Sequence, residues 1–132
     1  MNLDIKELDL SYWAGFIDGE GSVKLYKGPK KNSVGKTYDC YTPKIEVTNT
    51  DILLIEQMLK TFQVGYIYLD KPRTTEKGTV CKQIARWIVT YQNAYNVAKT
   101  IFPYLREINK KRVAGEIINY YETRIGKPKI KL

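Results

Sequence analysis

Hydrophobic and polar positions along the chain change period several times, and the changes mark the predicted elements. From about Asp9 to Gly19, Tyr12, Trp13, Phe16 and Ile17 fall at helical spacing behind Asp9 or Ser11 as N-cap. Gly21 to Lys27 then alternates Ser22, Lys24 and Tyr26 with Val23 and Leu25, the period of a half-buried strand. Lys27 to Lys36 reads as a polar loop rich in turn residues. A second strand, Thr37 to Thr48, puts Tyr38, Cys40, Thr42, Lys44 and Glu46 on one face and Tyr41, Ile45 and Val47 on the other. Asn49-Thr50-Asp51 caps a predicted second helix whose apolar residues are Ile52, Leu53, Ile55, Met58, Leu59 and Phe62. Further on, the pattern predicts a strand over 64–69, a loop from Lys71 to Gly78 and a fourth strand from about Thr79 to Thr90. A third helix, near Asn93 to Phe102, must stop at Pro103, and a last one runs from about Asn109 to Arg124. Gly126 and Pro128 close that helix and leave a basic tail of Lys127, Lys129 and Lys131.

The succession α-β-β-α-β-β-α-α predicts a single α+β domain over residues 1–132, with an antiparallel sheet and its helices on one face. The other sheet face is then open. Ser22, Lys24, Tyr26, Tyr38, Thr42, Lys44, Glu46, Tyr66, Tyr68, Lys82 and Arg86 are expected there, a mixture able to touch phosphates and base edges. A solvated outer face would also be polar, so no single position decides the matter. Loop cations Lys27, Lys30, Lys31, Lys36, Lys71 and Arg73, with the tail lysines, are candidates for phosphate contact.

Composition sharpens this picture. The 132 residues carry 22 Lys+Arg against 14 Asp+Glu, a net charge of +8, which favours a polyanionic partner and nucleic acid ahead of membrane. No apolar run approaches the ~18 residues of a membrane span, and Met1 to Leu10 lacks the apolar core of a signal peptide. The two cysteines, Cys40 and Cys81, lack metal-ligand spacing and are expected as free thiols in a reducing compartment. The chain has no histidine, which excludes Ser-His triads, His-ligated zinc and His-based acid/base catalysis. The expected location is inside the cell, and the Lys/Ile/Tyr/Asn-rich composition suits an AT-rich organellar, prokaryotic or phage genome.

The run Trp13-Ala14-Gly15-Phe16-Ile17-Asp18-Gly19-Glu20-Gly21 carries the candidate chemistry. Gly15 and Gly19 share a helix face and would let a second backbone approach closely. The acids fall at a helix C-terminus, where the macrodipole is already negative and a divalent metal is the natural counter-charge. This run resembles the motif of the LAGLIDADG homing endonucleases, with Trp13, Phe16, Gly19 and Glu20 as departures that keep each position's character. The element order is similar to that family's αββαββα fold, so the resemblance extends over roughly Leu10 to Tyr121.

The resemblance implies a site-specific double-strand DNA endonuclease with its sheet as a DNA-binding saddle. Glu20 and the Gly19 carbonyl would bind metal, with Asp18 in a structural part near the helix end. Mg²⁺ is the implied cofactor, Mn²⁺ a substitute, and Ca²⁺ an ion that binds without supporting efficient cleavage. One motif per chain implies a homodimer whose interface includes Ala14, Gly15 and Gly19, acting on a long pseudo-palindromic site. Asn49 and Lys110 match the family's polar and basic residues that order water at the scissile phosphate. Asn49 equally suits a helix cap, and Lys111 or Arg112 could replace Lys110 within a register of one. Some family members carry a basic residue early in the second helix, where this chain has Leu53. The rival readings are an intron RNA maturase or a non-cleaving DNA-binding protein on the same scaffold, and a basic ribosome-associated domain.

Overall fold

The computed structural model describes residues 5–123, so the expected basic tail lies outside the described residues. Helix α1 (Glu7–Glu20) leads into the hairpin β1 (Gly21–Lys31) and β2 (Thr37–Asn49). Helix α2 (Ile52–Phe62) follows, then β3 (Tyr66–Leu69) and β4 (Ala85–Thr90). Helix α3 (Tyr91–Ile101), a 3₁₀ turn at Phe102–Tyr104 and helix α4 (Ile108–Glu122) complete the order. The four strands form one antiparallel sheet in the order β1-β2-β4-β3. This is the α+β arrangement that the hydrophobic periods predict.

The sheet buries one face. Val23, Ile45, Val47, Trp87 and Val89 alternate inward and meet Trp13, Ala14 and Ile17 of α1, with Val97, Ala98 and Ile101 of α3, in one core. Burial of side chains this size, about 1.5–3 kcal/mol each, is what holds the helices on that face. Phe62 closes α2 by stacking on Trp87 at 5.2 Å between ring centroids, and the indole Nε1 donates to the Val64 carbonyl at 3.0 Å. The turn from α2 into β3 needs glycine: Gly65 has φ +89°, and a Cβ there would lie 2.6 Å from the Ile88 carbonyl oxygen.

Several boundaries differ from the sequence expectation. Strand β1 continues through Gly28-Pro29-Lys30-Lys31, paired with Cys40 back to Thr37, so the connecting loop shrinks to residues 32–36. Pro29 is tolerated because β1 is an edge strand. Asn32 closes the short turn, its Oδ1 accepting from the Val34 and Lys36 amides. The fourth strand starts at Ala85, six residues later than expected, because Thr74 and Val80 pair with each other in a small hairpin instead. Helix α1 starts at Glu7, with Lys6 at its N-cap and no side-chain cap bond, rather than at Asp9 or Ser11. Tyr12 and Leu53, expected to pack, are 58% and 70% exposed. Asp51 does cap α2, its carboxylate accepting from the Leu54 amide at 3.1 Å.

Candidate functional site

Helix α1 ends in Asp18-Gly19-Glu20, and the two acids have separate environments. The Asp18 carboxylate accepts from the main-chain amides of Arg106 (2.8 Å) and Glu107 (3.2 Å). It thereby ties the end of α1 to the start of α4, the structural part the resemblance implies. Its main-chain carbonyl accepts from the Lys110 ammonium. That places a cation against the negative end of the helix dipole. Glu107 fixes Lys110 in turn by capping α4, its carboxylate accepting from the Lys110 amide, and this bond holds the Glu107 carboxyl below its ordinary range.

Glu20 is exposed and has no hydrogen-bond or ion-pair partner among the described residues. It lines a hollow of about 290 Å³ with Thr48, Asn49, Thr50 and Ile84. Of the two readings the sequence left open for Asn49, the turn role is the one its hydrogen bond shows. Its Oδ1 accepts from the Asp51 amide at 2.8 Å in the turn before α2, and its side of the hollow faces Glu20. Lys110 lines a different cleft, about 880 Å³ between β1 and α4, with Lys24, Glu107, Arg112 and Glu116 among its walls. Its ammonium nevertheless sits on the carbonyl two residues before Glu20. Arg112 pairs with Glu116 on the surface of α4, and Lys111 lies over the Phe102 ring. Of the three basic residues in register, Lys110 is thus the one at the end of α1.

No group of three or more His, Cys, Asp or Glu side chains converges among the described residues. Glu20 is a hard oxygen donor at the negative end of a helix, which suits a hard divalent cation. One carboxylate and a neighbouring carbonyl are too few ligands for such an ion, and Asp18 is already engaged by two amides. The donor set fits a metal only if a second molecule supplies the remaining oxygens.

The exposed face of α1 bears on that point. Gly15 and Gly19 are exposed, and a Cβ built at either would meet nothing within 4 Å. With Leu8 (86% exposed) and Tyr12 they lie along one side of the helix. Nothing among the described residues requires glycine at positions 15 and 19, where each costs about 1 kcal/mol relative to alanine. Ala14 corrects the expectation: it is fully buried in its own core, about 100° around the helix from Gly15, and is unavailable to a partner. Gly21 serves another purpose the sequence did not single out. A Cβ there would stand 2.8 Å from the Ile17 carbonyl, so glycine allows the helix to pass directly into β1.

The open sheet face gathers most of the residues expected there. Ser22, Lys24, Tyr26 and Lys30 stand opposite Glu46, Lys44, Thr42 and Tyr38, and Tyr68 stands opposite Arg86. Tyr26, Tyr38, Tyr66 and Tyr68 are 53%, 40%, 54% and 56% exposed, large aromatic surfaces for one side of a small domain. Lys31 pairs with Thr37 at the hairpin tip. Arg73 and Lys82 lie in the irregular segment before β4 and line a hollow of about 190 Å³ with Asp70, Lys71 and Arg86.

The charges in the middle of this face pair with one another. Lys44 Nζ lies 3.1 Å from Glu46, and Arg86 bridges Glu46 (3.2 Å) and Asp70 (2.7 Å). The hydrogen bond from Arg86 holds the Asp70 carboxyl below its ordinary range. Asp70 carried no signal in the sequence, because its role depends on β3 lying beside β4. Tyr91 is a second unforeseen feature: it has φ +55°, rare for a bulky residue, and its ring lies 5.7 Å from Lys30 Nζ.

Residues 13–111 match the family model described as LAGLIDADG endonuclease. A comparison with curated protein sequences gave no match. Among solved structures, the chain is similar to the homing endonuclease I-CvuI in complex with the I-CreI target, with magnesium and uncleaved DNA. That likeness has 15% identity and a TM-score of 0.64, covering 88% of this chain and 67% of that one. It is also similar to the group I intron-encoded homing endonuclease I-CeuI complexed with DNA (17% identity, TM-score 0.62, 92% of this chain, 57% of that one). A third is the archaeal intron-encoded I-Vdi141I complexed with DNA (13% identity, TM-score 0.53, 89% of this chain, 73% of that one). The chain thus spans between just over half and three quarters of these relatives' lengths.

Proposed function

Starting from the premise that this chain belongs to the LAGLIDADG endonuclease family, we propose that it is a homodimeric, divalent-metal-dependent endonuclease that cuts both strands of a long pseudo-palindromic DNA site. The observation that carries this reading is Glu20, exposed and without a partner among the described residues, at the end of a helix whose exposed face is Leu8, Tyr12, Gly15 and Gly19. An unpaired carboxylate beside the negative end of a dipole is destabilising unless a cation comes to it.

Docking two copies through the glycine face would bring two α1 helices together and give each cut its own Glu20. Glu20 and the Gly19 carbonyl would hold Mg²⁺, whose remaining oxygens would come from the scissile phosphate, the partner and water. The bound cation supplies charge stabilisation at the phosphoryl oxygens and lowers the pKa of water, so the chemistry needs no histidine base, which this chain lacks. Lys110 would bring positive charge toward the cleavage end of the helix. Asn49 has an amide NH₂ group to orient water at the mouth of the hollow. Asp18 holds α1 and α4 together and does not bind the cation.

The reading is tested by incubating a plasmid library of randomised sites with the protein, with and without Mg²⁺. Cleavage that requires Mg²⁺ and is abolished by Glu20→Gln is the expected result. Absence of cleavage by the native chain across the library, or an unaltered rate in Glu20→Gln, overturns it.

A further inference from the structure

The sheet face carries a linear chain of charges, Lys44, Glu46, Arg86 and Asp70, in alternating sign and with no net charge. It joins β2, β4 and the end of β3. Arg86 is its centre. Nε donates to both Asp70 oxygens (2.9 and 3.2 Å), Nη2 donates to Asp70 at 2.7 Å, and Nη1 donates to Glu46 at 3.2 Å.

Partly exposed ion pairs of this kind contribute little to stability. The four side chains are also poor phosphate grips, since each cation is already neutralised by an adjacent carboxylate and phosphate binding rests on unneutralised charge. What the arrangement does fix is the position of a planar guanidinium on an open surface. A guanidinium has five N–H donors. The bonds to Asp70 and Glu46 use one on each nitrogen, leaving one N–H on each terminal nitrogen. Two donors at that separation match the O6 and N7 acceptors that guanine shows in the major groove. Asp70, flanked by Arg73 and Lys82 in the same hollow, keeps its carboxylate charged as the anchor.

We propose that Arg86 is a specificity-determining residue that selects guanine at one position in each DNA half-site, and that Asp70 is the positioning residue that holds its guanidinium for that contact. The proposal rests on the DNA-binding reading above and adds the base and the residues that choose it.

The test is selection from a pool of duplex DNA with randomised positions, in Ca²⁺ to retain complexes, using the native chain, Arg86→Lys and Asp70→Asn. The native chain should enrich guanine over other bases at one position per half-site by roughly 5- to 150-fold, the value of one bidentate pair. Arg86→Lys keeps the charge and loses the planar fork, so enrichment should vanish at that position alone. Asp70→Asn should reduce the same enrichment while leaving other positions unchanged. A merely structural role for the network would lower the melting temperature without altering the base profile. The inference is overturned if Arg86→Lys or Asp70→Asn leaves the guanine preference intact. It also fails if either weakens binding to every sequence equally with a shallower salt dependence, the behaviour of a phosphate contact. If the native chain enriches no sequence, the endonuclease reading falls together with this inference.

Discussion

The end of α1 and the middle of the open sheet face treat charge in opposite ways. On the sheet, Lys44, Glu46, Arg86 and Asp70 satisfy one another before any ligand arrives. At the end of α1, Asp18 is consumed by two backbone amides while Glu20, two residues on, has no partner among the described residues. Paired charges on the sheet define geometry at little electrostatic gain. The unpaired carboxylate leaves a local deficit that a cation would fill. The contrast separates a surface suited to reading DNA from a point suited to chemistry on it.

Substitutions at the two places should therefore differ in kind. The largest expected effect is from Glu20→Gln, which keeps the shape and removes the charge. Its loss of cleavage should exceed the roughly 10–100-fold that removing an outer-shell partner of a metal site brings. Gel-shift affinity for the selected DNA should persist, and a parallel loss of binding would erase the distinction between reading and cutting. Next in size, Gly15→Leu should fold, because nothing among the described residues approaches a side chain there, yet sediment as a monomer and stop cutting both strands. A dimeric Gly15→Leu protein would remove the glycine face from the interface.

Lys110→Met should slow cleavage by about 10–100-fold, as for a partner acting behind a metal ligand. The lost cation at the helix end should also reduce stability by about 0.3–1 kcal/mol in a denaturant titration. A change in stability without a change in rate would make Lys110 a helix cap and nothing more.

The smallest effect concerns acid. Asp70 is held below its ordinary 3.8, first by its hydrogen bond to Arg86, and Glu122 below 4.5, first by its hydrogen bond to Lys99. A carboxyl whose folded value is depressed gives its full stabilisation above the unfolded value and loses it as pH falls through the folded one. Thermal melts should thus be flat above pH 5 and decline below the ordinary carboxylate values, with a shallower decline for Asp70→Asn. An equal decline in both proteins would mean that the sheet network contributes nothing to the native state.

Much of this was legible in the chain because it depends on local rules. The alternation in β1 and β2 placed Ser22, Lys24, Tyr26, Thr42, Lys44 and Glu46 on one face, and the register bears that out. The Asp51 cap and the Gly15/Gly19 spacing were equally readable. Lys30 and Lys31 were read as loop cations because Gly28 and Pro29 signal a turn, but an edge strand tolerates both. Ala14 was grouped with the glycines by motif and size. Its direction on the helix, about 100° from Gly15, sends it into the core instead.

The sequence by itself determined the periods, the element order, the positive charge, the absence of histidine and the glycine-acid motif, since each is a property of residues near one another in the chain. Only the tertiary structure decided which of the two acids at the end of α1 is engaged by backbone amides. Asp18 finds its partners 88 and 89 residues away, Arg86 finds Glu46 on the neighbouring strand and Asp70 just past the end of β3, and Glu20 finds none among the described residues. Those outcomes depend on strand order and on where α4 begins relative to α1. Side-chain charge is written locally, but its pairing is settled by long-range packing, which no spacing along the chain encodes.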